Sequence, residues 1–260
     1  MAGNTVLITG ASAGIGQELA RCFAAAGDDL VLVARRAEAL EKLATDLRSR
    51  HNIRVRVEPC DLAQHAAPAE LFARLSQAGV TVDVLVNNAG FGALGEVADL
   101  ALDRQLEMIE LNVTALTSLT RLFLPAMLER KTGGVLNVAS TAGFQPGPRM
   151  AVYYATKAYV LSFTEALAEE IAGTGLRVSC LCPGPTKTEF GSVSGMDQSK
   201  LFRLGTMTAR DVAELGYRGW CSGKVVIIAG LTNRLAVFGV RLLPRWVIRK
   251  IVKSVNGRGS

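Results

Sequence analysis

Seven short runs rich in Val, Ile and Leu recur along the chain, at residues 6–9, 30–34, 55–59, 82–87, 134–139, 176–182 and 225–229. Between them lie stretches such as 15–26, 38–51, 66–77, 103–130 and 153–173, whose apolar residues repeat near the helical period and contain few breakers. A strand that is apolar throughout, rather than at alternate positions, is buried on both faces. Strands of that kind alternating with helices build a parallel sheet covered by helices on both sides. The expectation is therefore an α/β, doubly wound fold on a parallel seven-stranded sheet. No polar linker or solenoid-length repeat interrupts residues 1–230, which read as one domain. With 260 residues and 49% hydrophobic content the chain can bury a sizeable core, which excludes a disordered segment or a disulfide-stapled miniature.

Cysteine and charge narrow the class further. Cys22, Cys60, Cys180, Cys182 and Cys221 are odd in number, and they lack C-x-x-C or His-paired metal spacing. They read as reduced thiols of a cytoplasmic protein with no metal site, Cys180 and Cys182 sharing one strand face as small buried side chains. The start of the chain carries no secretory pattern, because Val6-Leu7-Ile8 runs straight into glycine. The net charge is +6, yet the last acid is Glu214, and nine Lys or Arg follow it. The positive excess thus belongs to the C-terminal tail rather than to a groove-reading element, which argues against a nucleic-acid partner.

The first apolar run leads into Thr9-Gly10-Ala11-Ser12-Ala13-Gly14-Ile15-Gly16 and then a helical stretch. Glycines there permit a tight turn, close approach of a pyrophosphate and close helix-to-strand packing, and a helix N-terminus offers free N–H groups. The second run ends Ala34-Arg35-Arg36, where an acid that bonds ribose hydroxyls would otherwise stand. A guanidinium fork suits a 2′-phosphate, so NADP(H) is favoured over NAD(H). The competing reading is that Arg35 and Arg36 only solvate a helix start, although a basic pair at that end opposes the helix dipole.

Taken with Asn87-Asn88-Ala89-Gly90 after the fourth run, Asn112, Ser140 and Tyr153-x-x-x-Lys157, the chain resembles the short-chain dehydrogenase/reductase family over about residues 4–230. The resemblance implies a Rossmann-like domain that carries a catalytic tetrad of Asn112, Ser140, Tyr153 and Lys157. In it Tyr153 protonates the substrate oxygen, Lys157 also holds the nicotinamide ribose, Ser140 steadies the carbonyl and Asn112 positions a water. Tyr153 and Lys157 lie four apart and share a helix face, and an ammonium beside a phenol lowers the phenol's pKa. Tyr154 has Ala158 in place of that lysine, so it lines the pocket or packs. By the same resemblance, Gly10, Ser12, Gly14, Ile15, Gly16, Arg35, Arg36, Asp61, Leu62, Asn87, Ala89, Gly90, Tyr153, Lys157, Pro183, Gly184, Thr186 and Thr188 contact the cofactor. Asp61 bonds the adenine amino group, Asn87, Ala89 and Gly90 wall the adenosine side, and the Pro183-Gly184 turn with its threonines holds the carboxamide. Ala13 departs from the basic residue that NADP-dependent relatives often carry just before the middle glycine. Asn112 also reads as a buried amide and Ser140 as a turn residue.

The glycine- and serine-containing stretch at 189–207 reads as a substrate lid. Phe144, Gln145, Tyr154, Phe190, Met196 and Phe202 are expected to shape an apolar pocket for a small, hydrophobic ketone, aldehyde or alcohol. Residues 231–260 extend beyond the last run with seven positive charges and no acid. Leu243, Val247, Ile251 and Val255 recur in four-residue steps, and Pro244 is placed to open a helix, giving a basic amphipathic helical extension. It either packs over the substrate mouth or a subunit neighbour, or lies on an anionic membrane surface without spanning it. The expected activity is carbonyl reduction or alcohol oxidation by a homo-dimer or homo-tetramer. The rival readings are a silent dinucleotide sensor or scaffold and an epimerase or dehydratase on the same scaffold.

Overall fold

In the computed structural model, which describes residues 3–198 and 205–257, the seven apolar runs form one parallel sheet. Its strands are β1 (Thr5–Thr9), β2 (Asp29–Ala34), β3 (Val55–Pro59), β4 (Val84–Asn87), β5 (Gly134–Val138), β6 (Arg177–Cys182) and β9 (Val226–Ile228). Two short strands, β7 (Thr186–Lys187) and β8 (Met207–Thr208), pair separately, and a short helix, α7 (Glu189–Ser194), follows β7. The spatial order is β3-β2-β1-β4-β5-β6-β9. The chain reverses its direction of winding between β1 and β4, and crevices at such switch points, beyond the carboxyl ends of the strands, are where ligands bind in open α/β sheets.

Alternate side chains of the central, mostly apolar strands enter two different cores. Val6, Ile8, Leu30 and Leu32 pack on one face against α1 (Gly14–Ala25), α2 (Ala37–Arg50) and α8 (Ala209–Cys221). Leu7, Val31, Val33 and Leu85 pack on the other against α3 (Ala67–Gln77), α5 (Leu116–Arg130) and the end of α6 (Ala151–Glu170). This two-sided burial is why the central strands show no polar alternation in sequence, whereas β3 at the sheet edge alternates Val55 and Val57 with Arg56 and Glu58. Thr208 caps α8, its hydroxyl accepting from the Asp211 N–H at 3.1 Å, as its spacing to the acid implies.

Two local features depart from the simple periodic reading. The stretch 103–130 is not one helix: α4 (Leu102–Ile109) passes through a π-helical turn at Glu110–Ala115 before α5 begins. Such a turn inserts a residue and re-aims its side chains, and here it swings Asn112 into the interior. The tail forms α9 (Leu231–Leu242) and, after Pro244, α10 (Arg245–Val255). On α10 the packed arc centres on Ile248 and Val252 rather than on Val247 and Ile251. Strict four-residue steps drift about 40° per step around a helix of 3.6 residues per turn, so they spiral off any single face.

Candidate active site

A cavity of about 770 Å³ lies at the carboxyl end of the sheet, lined by the residues that follow β1 through β6. The loop after β1 is fixed from behind. The Asn88 side-chain amide donates to the Thr9 carbonyl at 2.9 Å, and the Thr9 hydroxyl accepts from the backbone N–H groups of Asn88 and Ala89, both at 3.0 Å. Gly10 turns through a left-handed φ of 66°, and a Cβ on Gly16 would collide with the Gly10 carbonyl and the Asn88 amide. Helix α1 begins at Gly14 with Ala13 as its first flanking residue, no side-chain cap and no acid in its first turn. Its leading N–H groups and positive dipole end are therefore presented to an anion.

The arginine pair stands at the rim of this anion site. Arg36 donates to the Ser12 hydroxyl at 3.3 Å and makes a two-pronged contact with the Glu189 carboxylate at 3.2 and 2.8 Å. Arg35 is largely exposed and meets Glu107 at 3.7 Å. Asp61 and Leu62 line the cavity beside Cys60, and the Asp61 carboxylate accepts from the Ala63 N–H at 3.2 Å. A helix start without its own cap, a guanidinium already aimed at Ser12, and an acid at the end of β3 fit an adenine dinucleotide that carries a 2′-phosphate.

The reactive-type groups converge deeper in the cavity. Ser140 lies two residues beyond β5, its hydroxyl donating to the Pro183 carbonyl at 3.3 Å and accepting from the Ala142 N–H. Tyr153 and Lys157, one turn apart near the start of α6, are both buried. Lys157 Nζ donates to the Val138 carbonyl at 2.8 Å and lies 5.9 Å from the Tyr153 ring centre. Burial lowers the Lys157 amine to about 8, while the Cys180 and Cys182 thiols pull weakly the other way. Burial likewise holds the Tyr153 phenol above its ordinary range, with Ser140 opposing the rise. The sequence expectation that the protein's own lysine lowers this phenol is thus corrected. Desolvation dominates, and the lysine is turned to Val138 rather than to the hydroxyl.

Asn112 stands behind these groups. Its oxygen accepts from the Phe91 N–H at 3.1 Å, and its amide nitrogen donates to the Phe91 carbonyl at 2.9 Å and to Thr156 at 3.1 Å. A Cβ on Gly90 would sit 2.8 Å from the Asn112 oxygen and 3.5 Å from Lys157 Nζ, so only glycine lets the β4 loop pass between them. The side chain of Asn112 therefore ties the β4 loop to α6.

Most predicted residues meet at this cavity: Gly10, Ser12, Gly14, Ile15, Arg35, Arg36, Asp61, Leu62, Ala89, Gly90, Ser140, Tyr153, Lys157, Pro183, Gly184, Thr186 and Thr188 line it. Asn87, Gly16 and Asn112 do not: Gly16 packs against Gly10 and Asn88, Asn112 is held by Phe91 and Thr156, and for Asn87 the position corrects its assignment to the adenosine wall. Asn87 is buried behind the strand, donating to Thr120 at 3.1 Å and Asn137 at 2.9 Å, while Asn88 holds the cavity side. Consecutive residues of a strand point to opposite faces, so the pair Asn87-Asn88 had to divide in this way. Of the expected pocket residues, Gln145, Tyr154, Phe190 and Met196 line the cavity. Phe144 instead packs near Val160 and Leu161, and Phe202 lies outside the described residues, as does part of the lid.

Of the readings the sequence offered for the tail, the structure has it packed over the mouth of the cavity, including lining residues that the sequence pattern did not single out. Val237 and Val240 of α9 with Ile248, Ile251, Val252 and Val255 of α10 line the cavity from the tail. Asn256, 1% exposed, accepts from the Tyr154 hydroxyl at 3.3 Å and donates to the Pro148 carbonyl at 3.0 Å. A lone Asn at the end of a basic, apolar segment was the available signal.

A family model described as short chain dehydrogenase matches residues 4–198. The chain is 40% identical over 217 residues to sulfoacetaldehyde reductase 2 of Chromohalobacter salexigens, covering 81% of this chain and 85% of that protein. Among solved structures it is similar to a short-chain dehydrogenase from Sphingobium yanoikuyae in complex with NADPH, at 34% identity and a TM-score of 0.83 over 92% of this chain and 94% of the other. It is also similar to a 7β-hydroxysteroid dehydrogenase at 25% identity and a TM-score of 0.88, over 97% of this chain and 98% of the other.

Proposed function

Because the chain belongs to the short-chain dehydrogenase family and is thereby an oxidoreductase, we propose that it transfers hydride between NADP(H) and a hydrophobic ketone, aldehyde or secondary alcohol, with Tyr153 as general acid and base. The observation that carries this reading is the convergence of Ser140, Tyr153 and Lys157 on the same cavity that receives the uncapped start of α1 and the Arg36 guanidinium. A sensor or scaffold has no need of a buried phenol and a buried amine one turn apart in a ligand cavity.

When bound, the nicotinamide supplies or accepts the hydride. The chain's own residues hold the partners and move the proton. Arg36, with Ser12 and Arg35 beside it, receives the 2′-phosphate, while Asp61 and Leu62 flank the adenine and the α1 N–H groups take the pyrophosphate. Asn88, Ala89 and Gly90 form the central wall, and Pro183, Gly184, Thr186 and Thr188 face the carboxamide end. Ser140 Oγ orients the substrate oxygen. Tyr153 Oη carries its proton at neutral pH, as any phenol does, burial only reinforcing this, and donates it during reduction. Lys157 Nζ, which carries its proton below about pH 8 and donates to the Val138 carbonyl in this structure, would be the group to hold a ribose hydroxyl of the bound cofactor, and its charge would favour the phenolate left behind. Asn112 keeps the β4 loop and α6 in register for these contacts, its amide being spent on Phe91 and Thr156.

The tail helices and Phe190 close the substrate side with apolar surface, in keeping with a bulky, water-poor substrate. The test follows absorbance of the reduced nicotinamide across a panel of carbonyl compounds with NADPH and with NADH. Turnover with NADPH on hydrophobic ketones is expected. Tyr153→Phe is expected to keep cofactor affinity and lose about 10²- to 10⁴-fold in kcat. Near-normal turnover of that variant removes Tyr153 from its role.

A further inference from the structure

The two tail helices present large apolar side chains outward. Their inner faces line the cavity, but α9 also carries Leu231, Leu235, Phe238 and Leu242 outward, each 61–72% exposed. At about 100° per residue these four fall within about 60° of one another, a single outward stripe. Arg234 and Arg241 run along one flank of that stripe. On α10 the outward Trp246, 56% exposed, is ringed on the wheel by Arg245, Arg249, Lys250 and Lys253, with Lys250 Nζ 5.2 Å from the indole centre. Among the described residues none of these six cations enters an ion pair, and the chain has no acid beyond Glu214.

An outward stripe of large aliphatic and aromatic side chains marks a contact surface, and its charge selects the occupant. A second copy of this face would set one acid-free cationic belt against another. An anionic bilayer satisfies both halves, since its headgroups take the arginines and lysines while leucines and an interfacial Trp enter the acyl boundary. From this arrangement we infer that α9 and α10 dock the enzyme on the surface of an anionic lipid bilayer, without crossing it.

The full chain would be sedimented with vesicles of phosphatidylcholine alone and of phosphatidylcholine with phosphatidylglycerol, with Trp emission recorded on the same samples. Co-sedimentation is expected with the anionic vesicles and at least tenfold less with the neutral ones, accompanied by a blue shift. The chain has two tryptophans, and Trp220 is already buried, so the shift reports Trp246. Arg241→Gln with Arg249→Gln should weaken binding about fivefold per charge removed. Leu235→Asp with Phe238→Asp should abolish it at an unchanged Tm. Failure of the intact chain to bind anionic vesicles overturns the inference, as does equal binding to both kinds. A dimer in light scattering that the Leu235→Asp, Phe238→Asp variant dissociates, with no vesicle binding, overturns it in favour of an interface between copies.

Discussion

Replacing Lys157 by Met separates what this residue does for chemistry from what it does to stability. The amine is 5% exposed, and burial takes it from 10.5 to about 8. At about 1.4 kcal/mol per unit, folding at neutral pH works against about 3 kcal/mol of lost amine hydration. Met keeps most of the stem's packing and removes the charge, but it leaves the Val138 carbonyl without its donor, a loss of about 1–3 kcal/mol. At pH 7 the variant should therefore be as stable as the parent or up to about 2 kcal/mol more so, while its turnover collapses. The pH dependence sharpens this expectation. Below about pH 8 both folded and unfolded parent carry the proton, and the difference between the proteins is flat. Between about pH 8 and 10.5 the native amine has released a proton that the unfolded chain still binds, so the parent gains stability relative to the variant as pH rises, by about 3 kcal/mol in total. Other shifted groups, such as Cys22, which burial raises to about 11, are common to both proteins and cancel in the difference. Urea unfolding followed by circular dichroism at pH 7, 8, 9 and 10 measures it. A variant destabilised by more than about 2 kcal/mol at pH 7, or a difference that stays level to pH 10, would refute the reasoning.

Arg36→Ala should weaken NADPH binding about 10- to 100-fold by removing a charge-assisted fork while leaving NADH affinity nearly unchanged; equal loss for both cofactors in a fluorescence titration would contradict the phosphate assignment. Glu189→Gln removes the carboxylate that now occupies Arg36 and should tighten NADPH binding about two- to fivefold, the range of an exposed ion pair, with no tightening counting against that competition. Asn256→Ala strips partners from the Tyr154 hydroxyl and the Pro148 carbonyl, so a loss of about 1–3 kcal/mol in denaturant unfolding is expected together with a raised KM for bulky ketones. Leu85→Ala, in the centre of the sheet, should lose about 2–5 kcal/mol and leave kcat of the folded fraction intact.

The sheet was legible because its central strands had to satisfy one demand, burial on both faces, and runs dominated by Val, Ile and Leu meet it at their observed positions within a residue or two, while β3, at the sheet edge, alternates Val55 and Val57 with Arg56 and Glu58. The cofactor side was legible for a related reason. Gly10 and Gly16 answer steric demands made by neighbours only a few residues away or on the adjacent strand, and Tyr153 and Lys157 are joined by a single helical turn. Composition and period carry that information because the forces involved are local.

What the linear pattern left undecided depended on distant groups meeting. Whether burial or a neighbouring charge governs the Tyr153 phenol rests on how α6 is covered and where Lys157 points, and desolvation prevailed. Asn87 and Asn88 are equivalent as letters, yet the strand's pleat turns one to Thr120 and Asn137 and the other to the glycine loop. The tail's charge and amphipathicity announced a helix, but its role as cavity wall needed Asn256 to reach Tyr154 and Pro148, more than a hundred residues away. Hydrophobic period says that a face will be buried. It carries no record of the surface that buries it, because that choice is made by side chains brought together only when the sheet has closed around them.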